Sequence, residues 1–279
     1  MKSFDHTIRP GVVLFLGGAD DCTDRVQLNS GTIAAPDATP AGRYEEGARI
    51  PRSDWRSLTP ADRKALIAES CPKLYGSAIG IVRLPSQLLE PFASLREASA
   101  EYRSEEELIP IIGSENCSQG TDAIIAHLQR HFQRFRIRGG LHARQGGIEA
   151  HLPCLQTVTA DPKTDAFIGL HVDNFYDFSL SRRERSPNRV CVNLGSEDRF
   201  FVFLNIPIGQ LGKLMKNKMS GEKDFMRSFP SYPVVRVRIR PGEGYVAPTE
   251  NIVHDGSSID MNAMDITFSV RGRFSLSPT

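Results

Sequence analysis

The amino-acid sequence predicts an α+β fold with a mainly β core, in which helices from the first half of the chain buttress a β-barrel or sandwich formed by the second. Three observations carry this expectation. Strong helical periodicity lies before about residue 140, β-type alternation dominates from about residue 148 onward, and the regular strand-helix alternation of a doubly wound parallel sheet is missing. With no low-complexity linker, solenoid period or heptad run, residues 1–279 read as one domain: 1–140 as strand, helix and loop buttress, and 141–279 as the β core.

Each element follows from local chemistry. Val12 to Leu16, closed by Gly17 and Gly18, is a short apolar run rich in β-formers and reads as a buried strand. Residues 29–53, rich in Gly, Pro, Ala and charge, read as a long loop able to move over a site. Thr59-Pro60-Ala61-Asp62 supplies an N-cap, a first-turn proline and a first-turn acid, opening a helix that Pro72 stops. Ile79 to Leu84 is a second strand. Residues 86–108 carry Leu88, Leu89, Phe92, Leu95 and Tyr102 at helical spacing, and Thr121 to Phe135 does the same with Ile124, Ile125, Leu128, His131 and Phe132. In the second half, Val190 to Leu194 and Arg199 to Ile206 flank Gly195-Ser196-Glu197-Asp198 and read as a hairpin. A helix or loop insertion at 209–229 precedes strands at Val234 to Arg240, Gly244 to Ala247 and Asp265 to Phe274.

Composition narrows the function classes. With 40% hydrophobic and 24% charged residues the chain is balanced for a soluble globular protein. Lys plus Arg number 34 against 33 Asp plus Glu, a net charge of +1, which offers no general attraction to nucleic acid or anionic lipid; neither is expected as a partner. No apolar run approaches the roughly 20 residues of a membrane span, and the start lacks a signal-peptide pattern, so a cytoplasmic location is expected. Cys22, Cys71, Cys117, Cys154 and Cys191 are scattered without a C-x-x-C pair, as expected of reduced thiols rather than a disulfide framework or zinc knuckle. Nothing in the pattern indicates an oligomeric state.

The common signatures of phosphate cradles, zincins and nucleophile elbows are absent. The informative segment is Gly169-Leu170-His171-Val172-Asp173-Asn174. On an extended strand, residues two apart share a face, so the His171 imidazole and the Asp173 carboxylate point together. Such a pair is also a common structural hydrogen bond. A second histidine, His254, follows the Pro241-Gly242-Glu243-Gly244 turn. Two imidazoles and one carboxylate on one face of a metal form the facial triad of non-haem Fe(II), which leaves positions open; a structural zinc site would close with a fourth ligand, and no cysteine stands near either histidine. Beyond His254, Ile266, Phe268, Val270 and Phe274 alternate with Thr267, Ser269, Arg271, Arg273 and Ser275. If the apolar face lies under helices, two arginines point inward and suit a dicarboxylate; otherwise they lie on a solvated edge strand.

His171-x-Asp173, a distal His254 after a Pro-Gly-Glu turn, and arginines on the next strand together resemble the Fe(II)- and 2-oxoglutarate-dependent dioxygenases, over about residues 165–275. The resemblance implies a double-stranded β-helix, or jelly-roll, with helices packed outside. It implies that His171, Asp173 and His254 bind iron, and that Arg271 or Arg273 holds the distal carboxylate of 2-oxoglutarate. Arg273-x-Ser275 repeats the Arg-x-Ser form seen in part of the family, while Arg271 lies nearer His254. Halogenases similar to this family replace the carboxylate ligand with Gly or Ala; this chain keeps Asp173, which favours hydroxylation or a related oxidation. The implied activity is oxidation of a small molecule, such as an amino acid or specialised metabolite, using dioxygen and releasing succinate and CO2.

Such chemistry calls for a water-excluding cover, for which residues 29–53 and the aromatic Asn174 to Pro187 segment, with Phe175, Tyr176 and Phe178, are candidates. The rival from another class is a cupin-like binding or sensor protein without turnover; within the enzyme class, an iron oxygenase independent of 2-oxoglutarate is the alternative. His127 and His131 share a helix face without an evident third ligand, and His142 and His151 have no identified partner. The basic stretch Arg130, Arg134, Arg136 and Arg138 reads as a solvated helix face. Arg182-Arg183-Glu184-Arg185 reads as a solvated loop whose arginines can meet a substrate carboxylate.

Overall fold

The computed structural model describes all residues except 1–7, 9, 18–24, 71, 73–75, 103, 132–145, 177, 216–220 and 275–279. Apolar alternation produces the principal strands: β1 (Val13–Phe15), β2 (Val26–Leu28), β3 (Arg56–Ser57), β4 (Ala78–Arg83), β5 (Gly146–His151), β6 (Asn188–Asn193), β7 (Arg199–Pro207), β8 (Val235–Ile239), β9 (Glu243–Ala247), β10 (Ile252–Ser257) and β11 (Asp265–Gly272). The helices are α1 (Pro60–Leu66), α2 (Ala93–Glu101), α3 (Glu105–Ile112), α4 (Glu115–His131), α5 (Ile208–Leu214) and α6 (Glu222–Ser228). The result is a mixed α+β fold with mainly antiparallel sheets. A six-stranded sheet runs β1-β4-β9-β6-β11-β5, and a five-stranded sheet runs β10-β7-β8-β2-β3. Only the short β1 joins its neighbour β4 in parallel among these pairs. No helix of the described residues is long and apolar enough to cross a membrane.

The two sheets face one another across an apolar layer that includes Leu14, Val26, Leu28, Phe201, Phe203, Val235, Val237 and Tyr245. Phe201 and Tyr245, from opposite sheets, stack with ring centroids 4.0 Å apart. On the other face of the six-stranded sheet, Ile266, Phe268, Val270 and Val190 pack against Phe92, Leu95, Leu108 and Leu128 from the helices. The alternation of β11 therefore sorts as the sequence predicts: its apolar side goes under helices and its polar side, Asp265, Thr267, Ser269 and Arg271, turns between the sheets, where all four are buried. The five-stranded sheet buries Val202, Leu204 and Val253 under α5 and α6. Burying each large side chain contributes about 1.5 to 3 kcal/mol, so these faces dominate register choice.

Several local expectations change under tertiary context. α1 begins as predicted, with Thr59 and Asp62 forming a capping box. It stops at Leu66, well before Pro72, because Ile67 bridges Leu14 of β1 and the Ala68 N–H donates to the Leu14 carbonyl at 2.9 Å. The helical stretch at 86–108 is two 3-10 turns, Ser86–Leu88 and Glu90–Phe92, followed by α2 and then α3. Pro91 opens the second 3-10 turn, and Ser104 with Glu107 caps α3 afresh, which divides the run. The expected hairpin of Val190 to Leu194 with Arg199 to Ile206 does not form: β6 pairs with β9 and β11, whereas β7 pairs with β8 and β10 in the other sheet. Residues 195–198 carry the chain between sheets. Asn193 fixes that crossing by donating to the Glu197 and Ile239 carbonyls and accepting the Gly195 N–H, while Glu197 accepts the N–H groups of Asn262 and Ala263. Residues 29–53 are likewise not an open loop. Thr32–Ala34 pairs with Arg49–Pro51, Ala38–Thr39 pairs with Gly42–Arg43, and Tyr44, Ala48 and Ile50 are buried against Leu155, Val158 and Phe167.

The Pro241-Gly242-Glu243 turn owes its position to charge as well as to turn chemistry. Gly242 adopts φ 77° and Glu243 is 1% exposed, pairing with Arg25 and Arg83 and accepting the Arg240 N–H at 3.0 Å. Burial alone would raise its pKa, but the bonds from Arg83, Arg240 and Arg25 lower it. A depressed folded-state value contributes stability above the unfolded-state pKa of about 4.3, and that contribution is lost as pH falls through the folded value. Glu243→Gln is therefore expected to cost about 3 kcal/mol at neutral pH and to flatten the acid limb of the stability profile. Urea unfolding at pH 7 and below pH 4 checks both; an unchanged acid limb refutes the assignment.

Candidate metal centre

The site is assembled by a backbone feature that admits only glycine. Gly169 has φ 72°, and a Cβ there would stand 2.6 Å from the Arg49 carbonyl oxygen. The close approach lets the Leu170 N–H donate to that oxygen at 2.8 Å, anchoring the segment on the hairpin of residues 32–51. His171 then pairs antiparallel with His254 of β10, each N–H donating to the other's carbonyl at 3.1 and 2.8 Å. Directly opposed residues project to one side, so the two rings lie 4.9 Å apart. Two residues on, the Asp173 N–H donates to the Thr249 carbonyl at 3.1 Å, which brings its carboxylate back to the same face. All three side chains are buried.

Their ligand atoms converge within 4.8 Å of one another, and this buried group can hold a metal ion. His171 Nε2 is 3.6 Å from Asp173 Oδ1, and His254 Nε2 is 3.8 Å from Asp173 Oδ2. Around a metal with bonds of about 2.0–2.2 Å, adjacent ligand atoms stand roughly 3 Å apart, so a small contraction completes the site. The ring orientations suit this. Nδ1 of His171 lies 2.9 Å from the Gly169 carbonyl and Nδ1 of His254 lies 3.2 Å from the Ile252 carbonyl, so each Nδ1 has a backbone acceptor and each Nε2 faces the Asp173 carboxylate, the position from which a deprotonated Nε2 would ligate a metal. No fourth protein ligand joins the group among the described residues, which leaves it open rather than closed in the manner of structural zinc.

The electrostatics favour a cation. Burial would raise the Asp173 pKa, but the His171 hydrogen bond and the charges of His254 and Arg271 hold it well below the usual carboxylate range. Burial, reinforced by the His171 charge, pushes His254 down to about 4 against the pull of Asp173 and Asp255. For His171 burial is outweighed by the flanking Asp173 and Asp255, which push it up to about 10. Two carboxylates thus bracket one imidazole, and a divalent cation satisfies the same charge.

Arg271 lies immediately beside the triad. Its Nη2 donates to Asp173 Oδ2 at 2.6 Å and its Nη1 to Thr249 Oγ1 at 3.3 Å, while the Phe175 ring covers the guanidinium at 3.9 Å. Arg273 is not part of this constellation; it lines a separate cleft with Arg185 and Lys213. Ser275 lies outside the described residues, as do His142 and most of the basic stretch at 130–138. His151 sits 3.9 Å from Glu105 and 4.0 Å from Glu149. Cys117 and Cys191 are buried free thiols and Cys154 is an exposed one.

Four residues of the surroundings were not predicted as part of the centre. Arg183 donates to the backbone carbonyls of Asp173 at 2.9 Å and Glu250 at 3.1 Å and to Asn174 Oδ1 at 2.6 Å, clamping the strand end that bears the carboxylate. Asp255 Oδ2 stands 3.6 Å from His171 Nδ1. Glu250 is wholly buried 4.0 Å from Arg271, and burial raises its pKa. Arg189, opposite Arg271 in the β6-β11 register, donates to Ser269 Oγ at 3.2 Å and Glu149 Oε2 at 3.1 Å. Only the pairing register could have found Arg189, whereas Asp255 adjoins His254 in sequence and Glu250 lies in the run that leads to it. No family model, curated protein or solved structure matches this chain.

Proposed function

We propose that this chain is a non-haem Fe(II)- and 2-oxoglutarate-dependent oxygenase that hydroxylates or otherwise oxidises a small molecule. The observation that carries the reading is the buried convergence of His171, Asp173 and His254 with both Nε2 atoms turned toward the Asp173 carboxylate. The connectivity supports a jelly-roll: from β5 through the Gly169–Asp173 segment to β11, the chain passes repeatedly between two facing sheets, leaving β5, β11, β6 and β9 adjacent in one and β10, β7 and β8 adjacent in the other.

In this reading His171, Asp173 and His254 hold Fe(II), and Arg271 receives a carboxylate of 2-oxoglutarate. The bound iron supplies the redox chemistry that couples decarboxylation to succinate and CO2 with oxidation of the substrate by dioxygen. The chain supplies geometry. Arg183 and the Thr249 carbonyl fix the Asp173 strand, Gly169 sets the His171 approach, and Phe175 caps the Arg271 guanidinium and limits water there. A complete open triad with a buried guanidinium beside it exceeds what a cupin-like sensor requires.

Anaerobic addition of Fe(II) and then 2-oxoglutarate is expected to produce a weak visible charge-transfer band. Its absence would sink the reading in favour of the sensor; a band without succinate formation during turnover would point to chemistry independent of 2-oxoglutarate. Arg271→Gln is expected to raise the 2-oxoglutarate requirement about 10- to 100-fold, the scale of one charged hydrogen-bonded pair, and Arg273→Gln to leave it nearly unchanged. Titration of the band in each variant checks this, and equal effects would remove Arg271 from the role.

A further inference from the structure

A cleft of about 1050 Å³, of the size of a small-molecule site, is lined by residues other than the triad, among them Asn251 and Arg273. Three cations from three different elements line it: Arg185 at the end of the Leu180–Arg185 3-10 turn, Lys213 of α5, and Arg273 just beyond β11. Glu184 is the one acid in that wall, and among the described residues none of the three cations is matched to a carboxylate. Arg273 is half-buried, whereas Arg185 and Lys213 are exposed. Three cations against one acid leave the cleft wall with a net positive charge, which an anion placed there would offset. Ser77, Ser181, Gln210 and Asn251 complete the polar part of the lining.

The cleft is connected to the triad through the segments that form its walls. Its 3-10 turn carries Arg183, which bonds the Asp173 and Glu250 carbonyls; Asn251 follows Glu250; and Arg273 stands two residues, about 7 Å of strand, beyond Arg271. We infer that Arg185, Lys213 and Arg273 form a binding site for an oxyanionic group, phosphate or carboxylate, borne by the molecule that is oxidised at the metal. Oxidation of the bound molecule rests on the proposed function; the anion site does not. The prime substrate is then an anionic metabolite, held by its charged end in the cleft while the remainder extends toward His171, Asp173 and His254.

The test uses the full chain labelled with 15N, titrated separately with inorganic phosphate and with glutarate, following the backbone amides of Gly76, Gly209 and Asn251. At least one anion is expected to shift these amides in a saturable, salt-sensitive manner; phosphate alone would specify a phosphate ester, and glutarate alone a polycarboxylate. Arg273→Glu and Lys213→Glu are each expected to weaken that binding about tenfold or more, and the milder Arg273→Gln by less, while Mn(II) affinity at the triad stays within about twofold of wild type. No shift at these amides with either anion, or shifts of equal affinity in folded Glu variants, would overturn the inference. Anion binding in a chain that fails to take up Mn(II) would instead leave the cleft assignment standing and remove the oxygenase reading.

Discussion

Alanine at position 254 is expected to abolish iron binding and turnover while the fold survives. His254 supplies one of three convergent ligand atoms, and no other group among the described residues stands ready to replace it. Apparent binding free energies of structural zinc sites run to about 10–16 kcal/mol over four ligands, so loss of one ligand on that scale costs several kcal/mol, on the order of 10³-fold in affinity. The ring also packs against Phe201 with centroids 5.8 Å apart, so truncation leaves a cavity costing about 1–3 kcal/mol, well below what unfolds a domain of this size. Anaerobic Fe(II) titration alongside thermal unfolding separates the two effects. Wild-type iron affinity in a folded His254→Ala protein would contradict the assignment of the centre. His171→Ala should behave alike.

The largest stability effect is expected from dividing Arg199 and Asp265. Arg199 Nε donates to Asp265 Oδ1 at 2.8 Å, the two side chains are 2% and 0% exposed, and they join β7 of one sheet to β11 of the other. Nothing can be rearranged cheaply around them: a Cβ added at Gly256 would fall 2.4 Å from the Arg199 guanidinium. Arg199→Met leaves a buried carboxylate facing apolar surroundings, and Asp265→Leu leaves a buried guanidinium, each at a cost of about 3–5 kcal/mol. Joining the two substitutions removes both charges together and should recover most of the loss, because the desolvation cost of the ion pair disappears with it. Urea unfolding of the two single variants and the double variant provides the cycle. Strict additivity would show that the bond between the sheets is not the source of the cost.

Much of the fold was legible because strand and helix faces are local properties. The Thr59 and Asp62 cap, the inward polar face of β11 and the common face of His171 and Asp173 all follow from spacing of two or of three to four residues, which the chain carries into any tertiary setting. The hairpin expected across residues 195–198 failed for a related reason. A turn signal marks where the chain reverses, but it carries nothing about which sheet the next strand joins, and there the decision lay with the distant partners β8, β9, β10 and β11.

By itself the sequence determined the α+β character, the identities of three metal-ligand candidates and the two arginines in contention for an anion. The tertiary structure alone decided that His171 faces His254 across an antiparallel bridge and that Arg271 meets Asp173. It also decided that Arg273 turns into a cationic cleft, and that residues 29–53 form a packed hairpin wall. The division follows the range of the interactions: side-chain periodicity is set within a few residues, whereas cross-strand register and the burial of charge are settled between segments tens of residues apart, by whichever pairing buries the most apolar surface and leaves the fewest charges unmatched.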